Sequence, residues 1–229
     1  MTTEAGTLLS KTELFGGLDE PAVRRISDRA RTRTYSKGQL IFHEGDLAAS
    51  LFVMVEGLVK VFVTSDQGDA MTLVTLRPPD MFGELSLLDG GPRSASAEAV
   101  ETTRVIELGR DTFFAILNEN PQLAEALLRT MGTALRRLTE TAADLVFLDL
   151  HGRVAKLLVG MADERGIQSP QGIELDLQLT QTDLASMVGG SRQSVNQILR
   201  SFERRGYLDV EGRKMIVKQV ELLRRRAGL

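Results

Sequence analysis

Residues 180–202, TQTDLASMVGGSRQSVNQILRSF, predict two helices joined by a tight turn. Thr180 stands three residues before Asp183, so its hydroxyl can cap the first helix while the carboxylate accepts from the exposed amides. Gly189 allows the chain to turn sharply, and Ser191 can cap the second helix. That helix has one apolar face, formed by Val195, Ile198, Leu199 and Phe202. The segment is therefore a predicted helix-turn-helix.

The opposite face of the second helix carries guanidinium and carboxamide groups, whereas a solvated helix face more usually carries Glu and Lys. These residues are Arg192, Gln193, Asn196, Gln197 and Arg200. Such side chains can pair with guanine and adenine edges in the major groove of DNA. We therefore predict a recognition helix that enters the groove near its N-terminal end, with Thr180 and Ser191 also at the DNA. The alternative is a plain solvated face.

Residues 207–217 are predicted to form a hairpin that would serve as a wing on DNA. Its Arg213 and Lys214 would contact phosphates. The charge distribution favours such contacts, because residues 150–229 hold 13 Lys+Arg and 9 Asp+Glu, a net charge of +4. Residues 1–149 hold 15 Lys+Arg and 22 Asp+Glu, a net charge of −7, and the whole chain has a net charge of −3. The C-terminal third is thus the part suited to a phosphate backbone.

The composition excludes several classes of site. The chain has no cysteine, so it can form no disulfide, iron–sulfur cluster, zinc finger or cysteine nucleophile. Two histidines, His43 and His151, cannot supply the histidine cluster of catalytic zinc or non-haem iron, and we predict no metal. Since no stretch approaches the ~20 apolar residues of a membrane span, and the first residues do not resemble a leader, we expect a cytoplasmic protein with no membrane partner.

Upstream, residues 32–108 predict an all-β roll or sandwich. Short apolar runs alternate with glycines at spacings of seven to twelve residues. The runs are residues 52–55, 58–63 and 71–76, and the glycines are Gly38, Gly45, Gly57 and Gly68. A helix capped by Asp19, with Pro21 in its first turn, is predicted before the roll.

A long helix is predicted after Pro121. Apolar residues recur along it at alternating spacings of three and four, and they are Leu128, Met131, Leu135, Leu138, Ala142 and Leu145. Such a stripe packs on another helix, so we predict a parallel pair of helices in a homodimer; the alternative is packing on the helix's own domain. The chain is expected to break at residues 150–152, before a further helix at 154–162 and a loop at 167–172.

Residues 82–97, FGELSLLDGGPRSASA, carry the second functional signal. Gly83 and the short apolar turn after it offer free backbone amides to an anion, and Arg93 can fork two hydrogen bonds onto a phosphate. Ser94 adds a hydroxyl, and Glu84 can accept a hydrogen bond from a ribose hydroxyl. Together these groups predict a site for a sugar phosphate. The alternative is a structural ion pair between Glu84 and Arg93 across a hairpin.

Residues 82–99 resemble the phosphate-binding cassette of cyclic-nucleotide-binding domains. The order of β-roll, long helix and winged helix-turn-helix resembles bacterial transcription regulators of the CRP/FNR family, and so do the segments VGGSRQSV at 188–195 and FLDLHGR at 147–153. The resemblance spans roughly residues 14–217. It implies an α+β protein that is not an enzyme, with a jelly-roll cyclic-nucleotide-binding domain over residues 1–117, a dimerisation helix over 118–148 and a winged helix-turn-helix domain over 149–229.

The resemblance also implies a ligand. Cyclic AMP, as an allosteric ligand, would be bound through its ribose and cyclic phosphate by Gly83, Glu84, Leu85, Arg93 and Ser94. At the adenine end, cyclic-AMP-binding relatives commonly present a Thr-Ser or Thr-Asn pair where this sequence has Leu138 and Thr139. Thr139 can donate to the base and Leu138 cannot. Because a lost hydrogen bond at a buried polar edge costs about 1–3 kcal/mol, weaker binding or a changed base preference is expected.

Cyclic-AMP-responsive members of the family read each half-site with an Arg-Glu pair and a second Arg, at positions that correspond to Arg192, Gln193 and Gln197 here. Arg192 should still read guanine, whereas glutamine suits adenine better than cytosine or guanine. The implied partners are a palindromic operator in double-stranded DNA, a second copy of the chain and RNA polymerase. The protein would be at the nucleoid when bound to DNA.

Two other functions stay open on the residues alone. A regulator of the same fold could bind DNA without a ligand, if the extra apolar packing of Leu138 holds the active arrangement. A cupin-like enzyme could be built on the β-roll, but it requires a metal-binding cluster, which His43 beside Glu44 does not provide.

Overall fold

The glycine-separated strands form a β-roll in the computed structural model, which describes residues 4–48, 50–176, 179–211 and 214–229. The elements up to the long helix are α1 (Glu4–Leu9), α2 (Glu20–Arg29), β1 (Arg31–Tyr35), β2 (Leu40–Phe42), β3 (Ser50–Glu56), β4 (Val59–Thr64), β5 (Ala70–Leu76), β6 (Met81–Phe82), α3 (Glu84–Asp89), β7 (Ser96–Ala99), β8 (Thr103–Gly109) and α4 (Arg110–Glu119). The strands pair in two sheets, with the orders β1-β8-β3-β6 and β2-β7-β4-β5. The predicted roll is confirmed.

Local signals in the sequence set the elements of the roll. The four glycines predicted between strands all have positive φ angles of 79–95°. Asp19 caps α2 as predicted, because its Oδ1 accepts from the backbone N–H of Ala22 at 2.9 Å. Strand β3 is apolar on both faces because both are buried. Phe52 and Met54 pack inside the roll, whereas Leu51 belongs to a second cluster shared with α2 and α4.

The long helix α5 runs over Pro121–Phe147, inside the predicted segment. Near its start, Leu123, Ala126 and Leu127 are buried against the core of the β-roll unit. The chain divides within this helix into two compact units, Met1–Gly68 with Leu73–Arg137 and Asp69–Thr72 with Leu138–Leu229.

The predicted apolar stripe of α5 is mostly uncovered. Met131 packs against the core of the first unit. The remaining members are exposed, with fractions of 71% for Leu128, 64% for Leu135, 59% for Leu138 and 42% for Leu145, and Ala142 is exposed as well. Met131 therefore packs on its own domain, as the alternative expects, whereas Leu128, Leu135 and Leu138 have most of their surface uncovered.

The second unit continues with α6 (Leu150–Arg165), β9 (Ile167–Ser169), β10 (Gly172–Asp176), α7 (Gln181–Val188), α8 (Arg192–Arg204), β11 (Leu208–Glu211), β12 (Lys214–Val217) and α9 (Val220–Ala227). The predicted wing is confirmed as the antiparallel pair of β11 and β12. Its sheet has the order β11-β12-β10-β9.

Two expectations for this unit are corrected. Helix α6 starts earlier than residue 154 because Asp149 caps it, accepting from the backbone N–H of Gly152 at 2.8 Å. The loop expected at 167–172 is wrong, because these residues form β9, a turn and the start of β10. Of the residues that suggested a loop, Ser169 ends β9, Pro170 lies in the turn and Gly172 starts β10. Gly172 is required there, since a Cβ would lie 2.4 Å from the carbonyl oxygen of Val217.

The helix-turn-helix is confirmed in its local details. Thr180 and Asp183 form a capping box at the start of α7, and Ser191 caps α8 by accepting from the N–H of Ser194. Between them Gly189 has a left-handed backbone, with φ 63°. The predicted apolar face of α8 is buried, with no more than 4% of Val195, Ile198, Leu199 or Phe202 exposed.

Candidate functional site

Gly83 connects β6 to the short helix α3 with a left-handed backbone, at φ 80°. A side chain at this position would bring Cβ to 2.5 Å from Nη1 of Arg93. Both the backbone conformation and the close approach of the arginine therefore require glycine. The turn is anchored on the sheet because Phe82 pairs with Phe52 of β3.

Arg93, from the loop between α3 and β7, is buried beside this turn with 5% of its surface exposed. Its Nη1 donates to the carbonyl oxygen of Gly83 at 2.6 Å, and its Nη2 donates to that of Ser50 at 2.8 Å. The guanidinium carbon lies 4.1 Å from the centroid of the Phe42 ring, which is a cation–π distance. These contacts hold the guanidinium in one orientation.

The backbone of Arg93 is held as firmly as its side chain. Its N–H donates to the carbonyl of Asp46 at 2.9 Å, and its carbonyl accepts from the N–H of Gly45 at 2.8 Å. The hydroxyl of Ser86 in α3 donates to the carbonyl of Pro92 at 3.1 Å. The arginine therefore sits on a loop that is tied both to α3 and to the turn after β2.

The charge of Arg93 is not neutralised by an ion pair with any carboxylate in the described part of the chain, so the alternative of a structural pair with Glu84 is wrong. Burial lowers the pKa of the Arg93 guanidinium, and the carboxylates of Glu84, Asp46 and Glu107 oppose this shift through longer-range attraction. A buried cation without a counter-ion is costly. The guanidinium of Arg93 is therefore available to an anion, because no ion pair among the described residues occupies it.

The other residues of the predicted ligand set differ in exposure. Glu84 is half-buried at the start of α3, and burial raises the pKa of its carboxyl group, against the effects of a backbone hydrogen bond and of Arg93. Ser94 is exposed, and 48% of Leu85 is exposed. Leu138 and Thr139 lie on α5 within the second unit, and their contact with a ligand stays a prediction.

The predicted DNA-reading residues lie together on α8. Arg192, Gln193, Gln197 and Arg200 are exposed, and Lys214 is exposed at the start of β12. Arg213 lies outside the described residues. The hydroxyls of Thr180 and Ser191 accept the capping hydrogen bonds, from the N–H groups of Asp183 at 3.2 Å and Ser194 at 3.1 Å. Direct contact of these two hydroxyls with DNA stays a prediction.

Asn196 differs from the other residues of this face because it is half-buried. Its Nδ2 donates to Oε1 of Gln181, the first residue of α7, at 2.8 Å. Sequence reasoning missed Gln181, although its place directly after the capping residue Thr180 puts it at the helix end nearest the DNA-reading face.

Arg153 is a second residue that sequence reasoning did not single out. Its Nη1 donates to the carbonyl of Leu148 at 2.9 Å, and its Nε donates to the carbonyl of Val188 at 2.8 Å. It thereby joins the break after α5 to the last residue of α7.

Comparisons with known proteins identify the two domains that contain these residues. Residues 32–120 match the family of cyclic nucleotide-binding domains, and residues 152–226 match the Crp-like helix-turn-helix domain. The chain is 34% identical over 220 residues to a CRP-like cAMP-activated global transcriptional regulator of Mycobacterium tuberculosis, covering 96% of this chain and 98% of the relative. It is 32% identical to a cyclic AMP receptor protein of Thermus thermophilus, covering 92% and 94%.

A similar fold occurs in the c-di-GMP responsive global regulator CLP of Xanthomonas campestris, at a TM-score of 0.78 and 21% identity, covering 87% of this chain and 99% of the other. Curated relatives with both domains are named as global transcriptional regulators, which removes the enzyme alternative. Within the described residues, no helix has both the length and the apolar character that a membrane crossing requires. The chain belongs to the CRP/FNR family of transcription regulators, with a cyclic nucleotide-binding domain followed by a Crp-like helix-turn-helix domain.

Proposed function

We propose that this regulator binds DNA as a homodimer under the control of cyclic AMP. The observation that carries the ligand proposal is the buried guanidinium of Arg93, which has hydrogen-bond partners in two carbonyl groups but, among the residues that the structure describes, no carboxylate in an ion pair. A cyclic phosphate would supply the missing negative charge. The name of the mycobacterial relative, a cAMP-activated regulator, supports the same ligand.

In this proposal each residue of the set has one role. Arg93 and the backbone amides after Gly83 bind the cyclic phosphate, and Glu84 accepts from the ribose hydroxyl. Leu85 and Ser94 complete the site, while Thr139 donates to the base beside Leu138. The organisation is that of a nucleotide-binding roll over residues 1–117, a dimer helix over 118–148 and a DNA-binding domain over 149–229.

The dimer is supported by the exposed part of the stripe on α5. Leucines with 42–71% of their surface in water lie at heptad spacing, and they are Leu128, Leu135, Leu138 and Leu145. A parallel second copy would bury them together with Ala142 and Met131. Two copies of α8 would then reach successive major grooves, so the operator is expected to be palindromic. RNA polymerase is the expected protein partner at promoters, and the DNA-bound protein would lie in the nucleoid.

DNA binding with and without nucleotide tests this proposal. An operator selected from random duplex DNA, carrying a fluorescent label, is titrated with the protein in the absence and presence of cyclic AMP. A saturable change in DNA affinity with cyclic AMP supports the proposal. If cyclic GMP or c-di-GMP alone produces the change, the ligand assignment is wrong. If none of the three alters binding, the ligand-independent regulator is favoured.

Phe42→Leu is expected to weaken cyclic AMP binding, because it removes the ring beneath the Arg93 guanidinium and keeps an apolar side chain in its place. The loss should be about 0.5–2 kcal/mol, the range of cation–π contacts, or roughly 2- to 30-fold in the dissociation constant measured by calorimetry. Phe114→Leu is the matched control, since that ring contacts Arg110 at 5.0 Å. An equal loss in both variants would contradict a specific role for Phe42.

Arg192→Ala is expected to relax base preference at one operator position in each half-site. A bidentate contact with guanine discriminates by about 1–3 kcal/mol, so the preference for guanine there should fall by roughly 5- to 150-fold. Lys214→Ala serves for comparison, because loss of a phosphate contact should lower affinity for all sequences alike. Competition binding to operators with each of the four base pairs at this position measures the base preference. If Arg192→Ala and the natural chain show the same preference, Arg192 does not read a base.

A further inference from the structure

We propose that Gln181 positions Asn196 so that Asn196 reads an adenine in each operator half-site. Gln181 would therefore be a positioning residue for base recognition, although it lies on α7 and not on α8. The inference rests on the proposed role of α8 in reading DNA, and it adds both the base and the supporting residue.

The contact joins the two helices of the motif. Nδ2 of Asn196 donates to Oε1 of Gln181 at 2.8 Å, between residues that are 15 positions apart. Both residues are half-buried, whereas Arg192, Gln193 and Gln197 on the same face of α8 are exposed.

The first residue of α7 is a well-fixed place for the supporting side chain. Thr180 and Asp183 hold the start of this helix through their reciprocal capping hydrogen bonds. Leu184 and Ala185, in the following turn, are buried. The backbone of Gln181 is therefore restrained, and its side chain presents an acceptor at a defined position beside α8.

The chemistry of a carboxamide explains why such an acceptor matters. Asparagine recognises adenine by accepting from N6–H through Oδ1 and donating an N–H to N7. Its Nδ2 carries two hydrogens, so donation of one to Gln181 leaves the other N–H and Oδ1 for the base.

The same contact couples the orientations of the two amide groups. A flip of Asn196 alone would present Oδ1 to Oε1 of Gln181, and two acceptors do not form a hydrogen bond, so the contact persists only if both carboxamides flip together. Gln181 thus restrains the donor and acceptor of Asn196 before DNA arrives. Such preorganisation reduces the entropy lost on binding, and it penalises bases that need a different arrangement.

The test compares five variants of the chain. They are Asn196→Ala, Gln181→Met, which removes the acceptor at similar length, the double variant of these two, Gln181→Glu, which retains an acceptor, and Thr182→Ala as an exposed control on α7. The natural chain first selects an operator from a random duplex pool in the presence of cyclic AMP. Dissociation constants are then measured for all four base pairs at each half-site position, and thermal unfolding is recorded for each variant.

Asn196→Ala is expected to reduce the preference for A·T at one position by about tenfold. Gln181→Met should reduce it at the same position by roughly threefold or more, and the double variant should match Asn196→Ala. Gln181→Glu should keep the preference while its added negative charge lowers affinity for all sequences. Thr182→Ala should resemble the natural chain.

The inference is overturned if Gln181→Met keeps the A·T preference, or if it weakens preferences at all positions alike together with a lower unfolding temperature. It is also overturned if Asn196→Ala changes no base preference while the natural chain selects a clear operator. If the natural chain selects no sequence at all, with or without cyclic AMP, the proposed function as a sequence-specific DNA-binding protein is wrong. That result differs from a failure of the role of Gln181 alone.

Discussion

Arg93→Ala is expected to weaken cyclic AMP binding by at least about 100-fold. The variant removes the guanidinium that would form two hydrogen bonds with the cyclic phosphate, and bonds to a charged group contribute about 1.5–3 kcal/mol each. Calorimetric titration is the suitable measurement, because the chain contains no tryptophan to report binding by fluorescence. Binding of cyclic AMP by Arg93→Ala with an unchanged dissociation constant would contradict the proposed site.

The same variant also tests the coupling between the nucleotide and DNA. A ligand shifts a conformational equilibrium only by its differential affinity for the two states. Arg93→Ala should therefore lower operator affinity in the presence of cyclic AMP and leave it unchanged without nucleotide. An equal loss of operator affinity under both conditions would contradict the coupling.

Two control variants separate ligand binding from folding. Arg93 also donates to the carbonyls of Gly83 and Ser50, so its removal can loosen the loop. Arg93→Lys keeps the positive charge but loses the planar fork, and it should bind cyclic AMP with intermediate affinity. Arg25→Ala changes an exposed arginine that pairs with Glu119 and should have no effect on the ligand. Thermal unfolding of each variant identifies any loss of stability.

Leu135→Glu is expected to convert the homodimer into monomers and to reduce operator affinity by about 100-fold or more. Leu135 is 64% exposed on α5, at the centre of the stripe that the partner would cover. In a parallel pair the two introduced carboxylates would face each other in an apolar seam, where burial of unpaired charge is costly. A monomer reaches a single half-site, so most of the binding energy of the second half-site is lost. Light scattering after size-exclusion chromatography measures the mass, and labelled DNA measures affinity.

Arg136→Glu is the control for this prediction, because Arg136 is exposed on α5 but lies off the stripe. It changes the charge by more than Leu135→Glu does, so retained dimerisation would show that charge alone does not separate the chains. A dimeric Leu135→Glu protein with normal operator binding would contradict the proposed interface.

The sequence predicted best those features that depend on residues close together in the chain. The caps of α2, α7 and α8 involve a side chain and an amide three residues apart, so Asp19, Thr180 and Ser191 could be identified directly. Gly83 and Arg93 were named as an anion site because the residue types suit a phosphate. The loop expected at 167–172 failed for the opposite reason, since β10 also pairs with β12, which lies about forty residues further along the chain.

By itself, then, the sequence determined the order of β-roll, long helix and helix-turn-helix, the caps of α2, α7 and α8, and which residue types are available for a phosphate and for bases. Only the tertiary structure decided that Arg93 donates to Ser50, 43 positions away, and that Arg153 reaches Val188, 35 positions away. It also decided that Asn196 is supported by Gln181. Local patterns follow from the backbone geometry of a few neighbouring residues. Contacts across large sequence separations exist only after packing has brought the elements together, and no short motif records them.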